Sequence, residues 1–220
     1  IVFGDWSSDV CSSDLAENLK KLSTRKDYIR DIIEPIKFIS QATAKGSRYQ
    51  RVKQTTQFIV GPAGETDSQI VKYMFGLYKR LNLNRVYFSA YQRGLGDSSL
   101  EVEKQPPQNP QNQLTREHRL YQVDFLLRKY GFDEQDIVFE GSGDLSLTAD
   151  PKEVWAQRHP EFYPLNVNSA SRWDLLKVPG LGPITINRLI ERRKEFKLTS
   201  LSAIDKPTNL LQKAATYIKF

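Results

Sequence analysis

The sequence predicts an α/β protein: an α/β body followed by a small all-α module. Three observations carry this. Residues 55–91 read as strand, helix and strand in close succession, a βαβ unit whose strands must run parallel. Residues 166–204 read as short amphipathic helices on either side of Val178-Pro179-Gly180-Leu181-Gly182. The charge is also unevenly placed: residues 164–220 hold 10 Lys and Arg against 4 Asp and Glu, whereas the rest of the chain holds 22 of each. The net charge of +6 therefore lies in the last quarter of the 220 residues, the pattern of a polyanion-binding tail on a neutral body.

The elements follow in chain order. Residues 5–15 read DWSSDVCSSDL. The string resembles the translation of a common sequencing adapter, and such segments are set aside from fold reasoning. On that reading residues 1–15 are an artefactual leader, the authentic chain starts near Ala16 as the remainder of a longer gene, and Cys11 is not a functional thiol. Residues 27–44 form an amphipathic helix with Tyr28, Ile29, Ile32, Ile33, Ile36 and Ile39 on one face, kinked at Pro35. Residues 46–53 are a basic connection. Residues 55–60 are rich in β-branched and aromatic side chains and form a strand. The turn Gly61-Pro62-Ala63-Gly64 follows. Thr66 or Asp67 caps the next helix, which buries Ile70, Val71, Met74, Leu77, Tyr78 and Leu81 and ends at Asn82 and Asn84. Residues 85–91 form the second strand. This unit fits both a barrel and an open doubly wound sheet.

Residues 93–113, with Pro106-Pro107 and Pro110, form a long loop of covering or functional type. A helix over residues 115–130 buries Leu120, Val123, Leu126 and Leu127 and stops at Gly131. Asp133 caps a short turn. Asp150-Pro151 starts a helix to about Arg158. Pro160 and Pro164 mark a linker containing His159, with the domain boundary near Tyr163, so that the body spans residues 16–163 and the tail residues 164–220.

In the tail, Ser171 and Asp174 have the spacing of a capping box for a helix over residues 172–177. A second helix covers residues 183–194 with Ile186, Leu189 and Ile190 inward. Thr199 or Ser200 starts a third. The two glycines permit a tight turn with uncovered amides. Those amides stand at the start of the second helix, where unpaired N–H groups and the helix dipole attract phosphate. Leu181 plugs the turn into the core. Lys177, Arg188, Arg192 and Arg193 supply cations around it. Such contacts position DNA and depend on salt but carry no base information.

Residues 167–204 resemble the helix-hairpin-helix family, including the C-terminal module of competence-type DNA-uptake receptors. The resemblance implies phosphate contacts at Gly180, Gly182, Ile184 and Thr185, flanked by Lys177, Val178, Leu181, Arg188 and Arg192. Pro183 has no amide, so one contact is missing.

The body resembles the C-terminal half of a family of DNA-modification or repair radical S-adenosylmethionine proteins. The residues that carry this are 54–61, Gly64-Glu65-Thr66-Asp67, 86–91 and 116–122, with the helix-hairpin-helix tail in the same place. The resemblance implies a partial (β/α) barrel of radical SAM type. Its absent front half would hold a CxxxCxxC motif, a [4Fe–4S] cluster and S-adenosylmethionine, and would be the partner of this chain beside DNA and a DNA-repair protein. Without that motif the chain as written is expected to be inert and to carry no cofactor itself. Ligands of parallel barrels meet the loops at the C-terminal strand ends. Gly61, Gly64, Glu65 and Ser89 are therefore candidates for cofactor or substrate contact, although the turn and the carboxylate also make sense as purely structural devices.

One cysteine excludes an internal disulfide framework and a multi-cysteine zinc site. No apolar run reaches membrane-spanning length and no signal-peptide pattern is present, so a cytoplasmic location is expected. His118 and His159 have no partner cluster in the sequence. Two other readings stay open: a non-enzymatic DNA-binding protein, and a barrel enzyme whose tail contacts protein.

Overall fold

The structure is a computed structural model that describes residues 11–23, 25–94, 98, 101–104, 109–206 and 208–220. It is a mixed α/β chain of two compact units. One takes the chain up to Asp124 together with Phe139–Leu147; the other takes Phe125–Val138 and Thr148–Phe220. Among the described residues no helix is long and apolar enough to cross a membrane.

In the first unit, helix α1 (Cys11–Leu22) runs across the expected start at Ala16. A π-helical turn over Ile29–Ile33 leads directly into α2 (Glu34–Ala42), so the expected kinked helix is one continuous element. Pro35 is the reason. Its ring clashes with the carbonyl four residues back, and a wider π turn just ahead of it relieves the clash. Tyr28, Ile33 and Ile36 are buried, whereas Ile29 and Ile39 of the expected face are exposed, because the π turn rotates the stripe.

Strand β1 (Thr55–Val60) pairs in parallel with β2 (Arg85–Ala90), Phe58 opposite Phe88, and α3 (Asp67–Leu81) makes the crossover. Thr66 and Gln69 close a capping box at the start of α3, and Asn82 ends it in the left-handed region at φ 51°. Phe58 and Phe88 stack on the covered face of the sheet at 6.2 Å, and the ring of Tyr73 from α3 meets Phe58 edge-on at 5.4 Å. On the other face Ile59 and Tyr87 are exposed. β1 and β2 pair with no further strand among the described residues, so a closed barrel is not present there.

After α4 (Glu101–Lys104) the chain enters α5 (Pro110–Lys129). The expected Pro106-Pro107 part of the loop lies outside the described residues. α5 begins before Thr115 because Pro110 needs no amide partner in a first turn and the Asn109 side chain accepts from the Gln111 amide at 2.9 Å. Side chains of α3 and α5 close the outer edge of β2. The Val86 amide donates to the Tyr78 hydroxyl at 2.8 Å, the Phe88 amide to the Tyr121 hydroxyl at 3.0 Å, and the Ala90 amide to Glu117 at 2.7 Å.

In the second unit, α6 (Pro151–Arg158) carries Trp155 into an aromatic set. Phe132 lies 5.6 Å from Trp155, Phe162 5.4 Å and Tyr163 6.4 Å, and His159 stacks on the same ring at 4.2 Å. The stretch expected as a linker is thus packed structure, because four rings bury more apolar surface together than a solvated connection would. The tail is also not purely α: β3 (Leu165–Asn166) pairs in parallel with the chain end, β4 (Ile218–Lys219). Ser171 and Asp174 form the expected capping box of α7 (Arg172–Lys177). Then come α8 (Pro183–Glu195), a 3-10 turn over Leu201–Ala203, and α9 (Asn209–Ala214), an element the sequence reading did not include. Val167, Leu175, Leu176, Val178, Leu181, Ile186, Leu189, Leu198, Ile204, Leu211 and Ala214 share one core.

Candidate nucleic-acid interface

The hairpin Val178–Gly182 joins α7 to α8, and its two glycines have different causes. Gly180 has φ +85°, and a Cβ there would lie 2.1 Å from the Leu210 carbonyl oxygen of α9. The fold itself excludes any side chain at this position. Gly182 has φ −102° and ψ 167°, an extended conformation open to any non-proline residue. A Cβ there would meet only the Tyr130 hydroxyl, at an ordinary 4.0 Å. Nothing inside the fold demands glycine at 182. Leu181 between them is 1% exposed and plugs the core as expected; burial of this kind stabilises by about 1.5–3 kcal/mol.

Gly182 is also the N-cap of α8 and supplies no side-chain cap. The first intrahelical bond runs from the Ile186 amide to the Gly182 carbonyl at 3.0 Å. Helix geometry therefore leaves the Gly182, Ile184 and Thr185 amides without an intrahelical acceptor, while Pro183 has none to offer. Ile184 is 71% exposed, and no acidic residue stands in the first turn to compete for an anion. A groove of about 370 Å³ opens beside these amides, lined by Gly182, Ile184, Thr185, Lys206 and Thr208 among others.

The basic residues expected around the hairpin are largely engaged within the unit. The Lys177 ammonium lies over three rings, 4.7 Å from Trp155, 5.6 Å from Phe132 and 5.8 Å from Phe162. Arg193 donates to the carbonyls of Val167 at 2.9 Å and Ala170 at 2.7 Å. Arg192 donates to the Ala203 carbonyl at 2.8 Å, and Arg188 pairs with Asp205. Arg188 and Arg192 stay exposed all the same, and the Asp205 carboxyl is held below its ordinary range by the Lys206 amide and Arg188.

Two cations were not singled out by the sequence reading. Lys206 is exposed at the rim of the groove. It sits in a connection without periodicity, so no pattern flags it. Lys152, on α6, is buried, and its Nζ donates to the Leu181 carbonyl at 2.7 Å. Its place in a first helical turn reads as solvated, and only the tertiary fold carries it inward.

In the first unit, Gly61, Gly64 and Glu65 meet in one turn at the end of β1. The Glu65 carboxylate accepts from the Gly61 amide and from the Ala63 amide at 3.1 Å. Arg116 donates to Asp67 and to the Glu65 carbonyl, each at 2.6 Å, and Asp67 also accepts from the Leu145 amide at 2.9 Å. Burial pushes the Asp67 carboxyl up, against the pull of Arg116 and of that amide. Glu65 is thus used to hold its own turn. Ser89 lies opposite Ile59 on the bare face of the sheet. His118 is exposed. Among the described residues no cluster of His, Cys, Asp and Glu has the makings of a metal site. A [4Fe–4S] cluster is ordinarily held by several thiolates, and the given sequence has one cysteine.

No family model, no curated protein and no solved structure matches the chain.

Proposed function

We propose that this chain binds the sugar–phosphate backbone of duplex DNA at the start of α8 and does so without reading sequence. The observation that carries the proposal is Gly182. The fold does not require a glycine there, yet its lack of a side chain leaves three amides open at a helix N-terminus whose first turn holds no acidic residue; the one carboxylate lining the groove, Asp205, is paired with Arg188. A phosphate fits that arrangement by charge and by donor geometry. Lys206, Arg188 and Arg192 add exposed positive charge, and the excess charge of the tail steers a polyanion toward it.

The test is duplex binding by the full chain across a salt series, beside Gly182→Asp. Aspartate is a favourable N-cap, so this variant folds at least as well, while its carboxylate occupies the amides. Wild-type binding is expected to weaken steeply with salt, to be equal for two unrelated sequences, and to fall by at least about tenfold in the variant, worth about 1.4 kcal/mol. Absence of wild-type binding at low salt overturns the reading and favours a protein-contact module.

For the body we propose the closing strands of a (β/α) barrel of radical SAM type, from a parent that modifies or repairs DNA. Two features support this. The edge of β2 is sealed by Tyr121 and Glu117, as suits a last strand, and the sheet face carrying Ile59, Tyr87 and Ser89 is bare, as suits an interior wall that other strands complete. Reading the gene upstream of Ala16 decides it: an open frame with CxxxCxxC is expected, and a native start near Ala16 sinks the proposal in favour of a non-enzymatic DNA-binding protein.

A further inference from the structure

The buried Lys152 is placed where it acts on the hairpin. Its ammonium donates to the Leu181 carbonyl at 2.7 Å. That carbonyl and the Gly182 amide belong to one peptide group, and in a trans peptide they point in opposite directions. A donor fixed on the carbonyl side therefore sets the plane of the peptide and aims the Gly182 N–H away from Lys152, toward the open end of α8. It also polarises the group, since hydrogen bonds in series strengthen one another in a low-dielectric interior.

We propose that Lys152 is a positioning residue for anion binding: it orients and polarises the peptide between Leu181 and Gly182, and its proton is linked to occupancy of the amides at the start of α8. This rests on the backbone-binding reading above. The linkage follows from charge. An anion held on the Gly182 amide stabilises the ammonium on the far side of the same peptide, so binding favours the protonated form and protonation favours binding.

The other charged groups around Lys152 leave it free to respond. Asp150, at the N-cap of its own helix, raises its proton affinity. Asp150 and Glu153 are both held by Lys213 of α9, at 3.4 Å and 2.6 Å, which offsets their charge. From the end of α5 the Tyr130 ring stands 4.8 Å from the ammonium, and burial pushes the Tyr130 hydroxyl up, so it stays neutral. Burial brings Lys152 itself down to about 7, within the range a binding assay covers.

The experiment has two arms on the full chain. In the first, the Gly182 amide is followed by proton–nitrogen correlation spectra from pH 6 to 9 without ligand. It is expected to shift along a single titration that Lys152→Met abolishes. A Gly182 amide that does not titrate in the wild type, or that titrates equally in the variant, overturns the proposal whether or not DNA binds. In the second, duplex binding is measured at fixed salt at pH 6.5 and 8.5. Wild-type affinity is expected to fall by about fivefold or more and that of Lys152→Met to change by less than about twofold. Equal pH dependence in both proteins overturns the linkage while the DNA reading stands. Failure of the wild type to bind at either pH overturns the DNA reading and the linkage with it, and leaves the role of Lys152 in the peptide to the first arm.

Discussion

At the scale of single residues, the two hairpin glycines separate fold from function. Gly180→Ala places a methyl group against the Leu210 carbonyl at a positive φ, where glycine alone is unstrained. Its expected cost is at least about 2–3 kcal/mol, read as a lower denaturant midpoint. Gly182→Ala is expected to change stability by less than about 1 kcal/mol, since only the cap preference is altered, and yet to weaken DNA binding by crowding the approach to the amides. A variant pair with the effects reversed refutes the division. Lys152 carries a pH signature of stability as well. Its folded value of about 7 lies below the ordinary 10.5. Below pH 7 it is charged in both states, and the folded chain bears the whole desolvation cost. From pH 7 toward 10.5 the unfolded chain binds the extra proton, so stability rises with pH, by about 1.4 kcal/mol per unit at most. The difference between wild type and Lys152→Met in urea midpoints across pH 6.5 to 9 is expected to carry this slope; a flat difference counts against the burial of the charge.

At the scale of elements, helix starts are set by local chemistry and helix positions by long-range contacts. Ser171 accepts from the Asp174 amide at 3.1 Å and Asp174 returns a bond to the Ser171 amide. Ser171→Ala is expected to destabilise the second unit by about 1 kcal/mol in equilibrium unfolding, with DNA binding per folded molecule unchanged. Arg193 belongs to the same scale. Its two carbonyl partners tie α8 to the segment before α7, so Arg193→Ala is expected to cost about 1.5–3 kcal/mol without altering the salt dependence of binding. A changed salt slope in that variant moves Arg193 to the interface.

At the scale of the whole molecule, two compact units of different character share the chain. The first carries a parallel pair of strands with one face bare, although parallel sheets are ordinarily covered on both faces. Ile59 is 57% exposed there and Tyr87 39%, next to the outer edge of β1, which pairs with no further strand among the described residues and is of the kind that can recruit another chain. Ile59→Lys is expected to raise the concentration at which the chain stays monodisperse by light scattering, with stability within about 0.5 kcal/mol of wild type. Unchanged self-association sinks this reading of the face. The excess positive charge lies in residues 164–220 of the second unit, and a few phosphate contacts there predict a slope of about −2 to −4 in log K against log salt.

The sequence by itself determined what neighbours in the chain decide. The strand over residues 55–60, the capping box at Ser171, the stop at Gly131 and the hairpin at 178–182 were all legible, because turn chemistry, capping and periodicity act within a few residues. The parallel pairing was legible too, since a crossover helix leaves no alternative. The tertiary structure decided the rest. It packed His159 and Tyr163 onto Trp155 where local cues suggested a linker, placed α9 against Gly180, turned Lys177 and Arg193 inward, and drew Lys152 behind the hairpin. Each of these depends on groups far apart in sequence meeting at van der Waals or hydrogen-bond distance. Burial, unlike capping or turn formation, leaves no mark on the residues beside it in the chain.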